Sequence, residues 1–401
     1  MKGWKVTQLD EVVKIQNGFA FNSKQFSPNA KTPLIRIRDL KKGANTETNF
    51  DGDFDASYLV KKGDFLIGMD GEFGCYEWHG EEALLNQRVC RLHSFASSLD
   101  ARFLFRGINK YLKDIEEVTG FTTVKHISSK QIASIQFPLP PLPEQRRIVA
   151  FLDEAFEGLE AMRANAEKNL KNARELFDSY LNAIFTQKGE GWVENSLAEL
   201  CTIKHGFAFQ SEFFTDSGEY TLLTPGNFFE SGGYRYRGDK QKYYVGEIPN
   251  GFVLSAGDLL VAMTEQATGL LGSPVIIPKS GKFLHNQRLG LVVAKDGAPW
   301  SNEFFFYVFN TMAVREEIQA SASGVKVRHT SPSKMGEILV AYPSSIAAQS
   351  AIVDELTNMA EQASHLESLC RQKLAAIAEL KQSLLQKAFA GELTQSESIA
   401  A

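Results

Sequence analysis

The sequence predicts an α+β chain built from two tandem, internally repeated α/β globules. A long helix follows each globule, and the two helices pair as an antiparallel coiled coil. Three observations carry this reading. The chain is written twice. The first part of each copy is rich in Gly, Phe and β-branched residues arranged in short strand-like runs. The second part of each copy is a long stretch with apolar residues three and four apart.

The repeat is legible residue by residue. Gly3-Trp4 returns as Gly191-Trp192, and Gly18-Phe19-Ala20-Phe21 returns as Gly206-Phe207-Ala208-Phe209, at an offset of 188. Gly63-Asp64 returns as Gly257-Asp258 at 194, and Asn86-Gln87-Arg88 as Asn286-Gln287-Arg288 at 200. Val124, His126 and Ser128 return as Val327, His329 and Ser331 at 203, and Gln145 and Ile148 as Gln349 and Ile352 at 204. The growing offset places insertions of a few residues in loops of the second copy. Runs such as Pro33–Ile37, Gly63–Gly68 and Gly257–Val261, bounded by Gly and Asp, predict short buried strands. Ala101–Glu117 and Asn302–Ala320 predict helices.

Domain limits follow: a first globule over 1–142, a first long helix over 143–188, a second globule over 189–345, a second long helix over 346–393 and a disordered tail over 394–401. The first helix follows Pro138-Leu139-Pro140-Pro141-Leu142-Pro143, a stiff lead-in that cannot lie inside a helix. Its apolar seam is expected at Leu152, Phe156, Leu159, Leu170 and Phe177. The second helix is expected to answer with Leu356, Met359, Leu366, Ile377, Leu380 and Leu384. Steps of three and four summing to seven are coiled-coil spacing. About 40 residues at ~1.5 Å each span roughly 60 Å, longer than a globular helix usually runs.

Composition sets the class. The 401 residues are 43% hydrophobic and 23% charged, the balance of a globular protein. No run reaches the ~20 apolar residues of a membrane helix. The N-terminus lacks the apolar core of a signal peptide. The four scattered cysteines show no CxxC, so a reducing cytoplasm is the expected location, without disulfides or structural zinc. Net charge is +2 over 1–142 and −3 over 189–345, so any binding to nucleic acid must use local patches.

Catalytic motifs are missing. The sequence has no GxGxxG or GxxxxGK[ST] phosphate cradle, no GxSxG, no HExxH, and no Asp/Asn-Pro-Pro-Tyr/Phe of the kind that grips an extruded base. Asp70 and Glu72, flanking Gly71, fit either a solvated turn or a metal or acid/base pair. What recurs between the copies is glycine and apolar framework, while much of the sequence between differs. Two similar folds with different surfaces suit a protein that recognises two different things. A two-domain enzyme and a duplicated protein- or glycan-binding scaffold are the readings from other classes.

Three segments carry the chemistry of DNA contact. The first is the recurrent loop with Thr122, Thr123, Lys125 and His126 in one copy and Lys326, Arg328 and His329 in the other. Its hydroxyls, cations and His can donate to phosphate, or it is a structural turn. The second is Tyr234–Tyr244, where Arg235, Tyr236, Arg237 and Lys240 interleave basic and aromatic groups. Arg can bind guanine bidentately, or the segment is a surface hairpin without an equivalent in the first copy. The third holds Arg36, Arg38 and Lys41, where alternation puts both arginines on one strand face, to contact DNA or simply to face solvent. Asn86-Gln87-Arg88 and its identical repeat suit framework or phosphate positioning better than sequence reading.

Four stretches resemble the specificity subunits of Type I restriction–modification systems: Asn17–Phe21, Leu85–Val89, Pro138–Val149 and Leu384–Leu393. The resemblance spans essentially the whole chain. It implies a non-catalytic subunit in which each globule is a target recognition domain for one half of a split duplex site. It implies paired helices that fix the distance between the domains. The implied partners are two methyltransferase subunits and, in a restriction complex, motor-nuclease subunits. The implied modification is N6-methylation of adenine. Its S-adenosylmethionine is held by the partner, with no cofactor or metal on this chain.

Overall fold

The computed structural model describes residues 4–119, 125–266, 269–278 and 282–393. The expected tail 394–401 and the residues Thr122 and Thr123 lie outside them. The chain divides into two compact units. One takes in the residues up to Ala166 together with those from Gln372 on, and the other is Glu167–Arg371.

In the first unit an antiparallel four-stranded sheet runs in the order Lys14–Asn17, Val89–His93, Phe65–Gly68, Gly74–Glu77. A second sheet of five short strands runs Phe26–Ser27, Asn49–Phe50, Thr32–Ile35, Ala83–Leu85, Leu59–Val60. Its one parallel pairing sets Leu34 against Leu84. Phe65-Leu66-Ile67-Gly68 is buried throughout, as a strand covered on both faces must be. Helix Ala101–Val118 starts where the Asp100 carboxylate accepts the amides of Arg102 and Phe103. Its buried face (Phe103, Leu104, Ile108, Leu112) belongs to the main core of the unit.

The second unit repeats this plan strand for strand. Its four-stranded sheet is Cys201–His205, Leu289–Ala294, Leu259–Ala262, Pro274–Ile276. The five-stranded one is Phe214–Thr215, Tyr243–Tyr244, Tyr220–Leu222, Lys282–Leu284, Val253–Leu254, again with one parallel pair, Leu222 against Leu284. The segment expected as one helix over Asn302–Ala320 is two, Asn302–Asn310 and Met312–Ser321. Thr311 ends the first and precedes the second in extended backbone, its hydroxyl donating to the Val308 carbonyl. A β-branched hydroxyl residue bonding locally competes with helix continuation.

The long helices are Leu142–Gln187 and Ile346–Ala390. Each is entered from a strand, Gln136–Leu139 or Leu339–Pro343, and each entry is clamped by a fully buried glutamine. The Gln145 amide donates to the carbonyls of Ser98 and Pro140, and its oxygen accepts the Asp100 amide. Gln349 donates to the carbonyls of Pro299 and Pro343. This clamp explains why the second helix starts cleanly although its lead-in has lost most of the prolines.

Within each unit the helices run antiparallel. In the first, Lys381 pairs with Glu160, and Leu152, Phe156, Leu159 and Ile377 share one core with Leu384 against it. In the second, Arg174 pairs with Glu367 and Tyr180 with Glu355, and Leu356 is buried with Leu181 and against Phe177. The seam differs from the expected one at two positions. Leu366 and Leu380 are 41% and 47% exposed. The buried rungs are Gln349, Leu356, Ala363, Cys370 and Ile377, a strict seven-residue series. The expected steps of three and four overstate the contact because small rungs, Ala166 and Ala173 in the first helix and Ala363 in the second, leave only a narrow stripe buried. Leu170 and Met359 are half-buried at its edge.

Each globule also receives the end of the helix that belongs to the other copy. Phe389 packs on Phe103 and Phe137, and its ring lies over Gly107, where a β-carbon would sit 2.3 Å from it. Phe185 packs on Trp192 and Phe304 in the second unit. Gly107 costs the helix about 1 kcal/mol of propensity and gains a fully seated aromatic ring.

Candidate nucleic-acid interface

In the first unit a groove is lined by Ser23, Arg36, Arg38, Asp70, Gln87 and Arg88. Three elements build it. The first is the turn after strand Thr32–Ile35. Alternation predicts that the strand continues through Arg36 and Arg38, but the Asp39 carboxylate accepts the Arg36 amide and starts a short helix, Ile37–Leu40. The two arginines are therefore not on one strand face; a cap-forming Asp three residues on outweighs alternation. Arg38 donates to the Thr48 hydroxyl at 3.2 Å and lies 3.6 Å from the Glu47 carboxylate. Lys41 is paired with Glu72, which raises the lysine above its ordinary range.

The second element is the turn Asn86-Gln87-Arg88. Asn86 is buried, with its oxygen accepting the Gln87 amide, whereas Gln87 and Arg88 are exposed. The preceding Gly18 is required here: a β-carbon on it would lie 2.1 Å from the Asn86 carbonyl oxygen. Gly206 repeats this close approach to the Asn286 carbonyl in the second unit, where the buried Asn286 oxygen accepts the Arg288 amide instead. Asn is thus the framework member of the tripeptide, and Gln and Arg are its presented members.

The third element is the strand-like contact of Asp70 with His126. The Asp70 carboxylate holds His126 Nδ1 at 2.6 Å and the Arg88 guanidinium at 3.4 Å. Lys125 does not join the groove; its ammonium turns back to the Glu116 carbonyl and carboxylate.

The corresponding contact in the second unit pairs Thr264 with His329 and Glu265 with Arg328. Arg328, expected as a DNA contact, forms an ion pair within the unit. Its guanidinium lies 3.4 Å from the buried Glu265 carboxylate and also donates to Gln319. A buried carboxylate demands such a partner. Glu265 further accepts the amides of Gly269 and Leu271. Lys326 and His329 stay exposed. Thr264 stands where the first unit has Asp70, so Arg288, the repeat of Arg88, has no ion pair among the described residues.

Segment 234–244 does have a counterpart. The shared sheet pairings equate Leu34 with Leu222 and Phe50 with Tyr244, and the capped turn carries the first offset on to Asp39 and Asn227, so the offset grows from 188 to 194 between the turn and Phe50. The loop 229–242 is the enlarged form of 41–48. Buried Asn227 accepts the Thr224 amide as Asp39 accepts that of Arg36, and it donates to the Arg235 carbonyl and to the Gln241 oxygen. Held this way, the loop presents Tyr236, 65% exposed, together with exposed Arg235 and Lys240. The Arg235 guanidinium rests over the Phe229 ring at 5.9 Å. Arg237 is half-buried, its guanidinium against Gly226.

The Type I restriction modification DNA specificity domain matches residues 1–171 and again 189–375. The chain belongs to this family. It is 28% identical over 426 residues to the Type I restriction enzyme EcoBI specificity subunit of Escherichia coli, covering 98% of this chain and 86% of that protein. It is 22% identical over 433 residues to the StySPI specificity subunit of Salmonella potsdam, covering 98% and 90%. Among solved structures, a chain from the work on complex assembly and conformational transition of the type I R-M system superposes with a TM-score of 0.73 at 19% identity, covering 98% of this chain and 99% of that one. The HsdS subunit from Thermoanaerobacter tengcongensis gives 0.56 at 18% identity, with 98% and 97% covered. These likenesses show the same fold. The chain is thus a DNA specificity subunit, a recognising rather than a catalytic member of a Type I system. No helix among its described residues is long and apolar enough to cross a membrane.

Proposed function

We propose that each unit reads one half of a bipartite duplex site and that the chain recruits two adenine-N6 methyltransferase subunits to it, with motor-nuclease subunits added in a restriction complex. S-adenosylmethionine belongs to the methyltransferase partners. The observation that carries this reading is a repeated frame with a different lip. Asn-Gln-Arg, the glycine before it and the capped turn recur in both units, while the loop beside them changes from 41–48 to 229–242. The invariant Arg88 and Arg288 suit phosphate contacts, which fix register without carrying sequence. Arg36 and Arg38 in one unit, and Arg235, Tyr236, Arg237, Lys240 and Lys326 in the other, are the variable groups left to read bases or neighbouring phosphates, while the recurring His126 and His329 suit phosphate contacts. The paired helices fix the separation of the readers, so linkage adds affinity only where the half-sites are correctly spaced.

The test is an exchange of residues 1–142 for the first domain of another family member, expressed with the partner methyltransferase. Mapping of methylated sites should show one half of the motif replaced and the other intact. A motif changed in both halves would contradict two independent readers.

A further inference from the structure

We propose that Arg237 is the specificity-determining equivalent of Arg38, delivering a guanidinium from the loop to the place that Arg38 serves from the capped turn. On this reading each arginine recognises a guanine at the corresponding position of its half-site. The inference rests on the two-reader function above. Its basis is a compensating pair. The capped turns correspond residue for residue, with Asp39 capping Arg36 as Asn227 caps Thr224, so position 38 corresponds to position 226. The first unit carries arginine there and the second carries glycine.

The glycine is not required by the backbone, since Gly226 does not lie in the left-handed region. It leaves room for Arg237 in its present position. A β-carbon on residue 226 would stand 2.9 Å from Arg237 Nη1 and 3.0 Å from Cζ. The loop has thus grown over a residue whose side chain is missing, and it brings a guanidinium against the point where that side chain would begin. The Arg38 guanidinium and the Arg237 backbone are held in place before any ligand arrives. Arg38 is fixed by Thr48 and Glu47. Arg237 is seated on Gly226, and its amide donates to Gln241, itself bonded to Asn227. Neither is buried in a structural ion pair of the Arg328 kind. A fixed, planar fork of donors matches guanine O6 and N7.

Four variants, each expressed with the partner methyltransferase and read by genome-wide methylation mapping, test this. Arg237→Ala should admit other bases at one base pair of one half-site, with discrimination there falling on the order of 10- to 100-fold. Gly226→Ala keeps the charge but removes the seat and should relax the same pair. Arg237→Ala combined with Gly226→Arg restores a guanidinium by the first unit's route and should regain the guanine. Arg38→Ala should relax the corresponding pair of the other half-site. The untouched half-site reports that each variant is folded. A uniform fall in methylation with an unchanged motif would make these phosphate contacts, and an unaltered motif at full methylation would leave them without a role; either overturns the proposal. A wild-type chain that directs no two-part motif overturns the two-reader function itself, before any variant is made.

Discussion

At the scale of single residues, a basic side chain in a promising motif is not yet a ligand contact. Arg328 and His329 recur with Lys125 and His126, and the repeat alone gave them equal standing. The structure separates them by asking what else each cation must do. Glu265 is buried, and Arg328 is its counter-charge. Arg328→Ala should therefore lower the unfolding free energy by about 2–3 kcal/mol, at or below the low end for a buried pair because the guanidinium is one-third exposed. Denaturant melts check this; a stable variant with weakened DNA binding would return Arg328 to the interface.

His285 offers a second test at this scale. It stands at the position of Leu85, buried, with Nε2–H donating to the Leu289 carbonyl. Burial holds its pKa below the ordinary value of 6.5. The folded chain therefore keeps it neutral while the unfolded chain takes up a proton on acidification. Its contribution to stability is present above pH 6.5 and is lost as pH falls through that value and toward the lower folded pKa. Unfolding measured at pH 7 and pH 5.5 should show a smaller loss on acidification in His285→Leu than in the wild type. An equal loss in both would place the effect elsewhere.

Among elements, what was legible in the sequence was whatever repeats with a period or punctuates with a sharp residue. The strands over Phe65–Gly68 and Leu259–Ala262, the helix from Ala101 and both long helices could be read from apolar period and from proline. The groove was legible only in part. Asn86-Gln87-Arg88 was visible as an identity, yet which of its members turns inward depends on the approach of Gly18. The break at Thr311 and the cap at Arg36 were missed because a single local hydrogen bond overrides the pattern around it. The strand pairings that equate loop 229–242 with 41–48 are non-local, and no window along the chain contains them. Phe389 is a like case: its contact with Gly107 joins the end of the second helix to the first globule. Phe389→Ala should destabilise that unit by roughly 3–5 kcal/mol. Thermal unfolding followed by calorimetry checks it, and an unshifted first transition would mean that the helix end is not part of that core.

For the whole molecule, the proposed function requires two readers held at a fixed separation by the paired helices. The measurement that tests it most directly is methylation mapping after matched insertion of four helix-forming residues, beside Lys168 in the first long helix and beside Gln372 in the second. Neither groove is touched. Four residues add ~6 Å of rise and about 40° beyond one full turn, against ~3.4 Å per base pair. Unchanged half-sites with one or two more base pairs between them are expected. A motif with the original gap would contradict the fixed separation, because the helices would then not set the spacing.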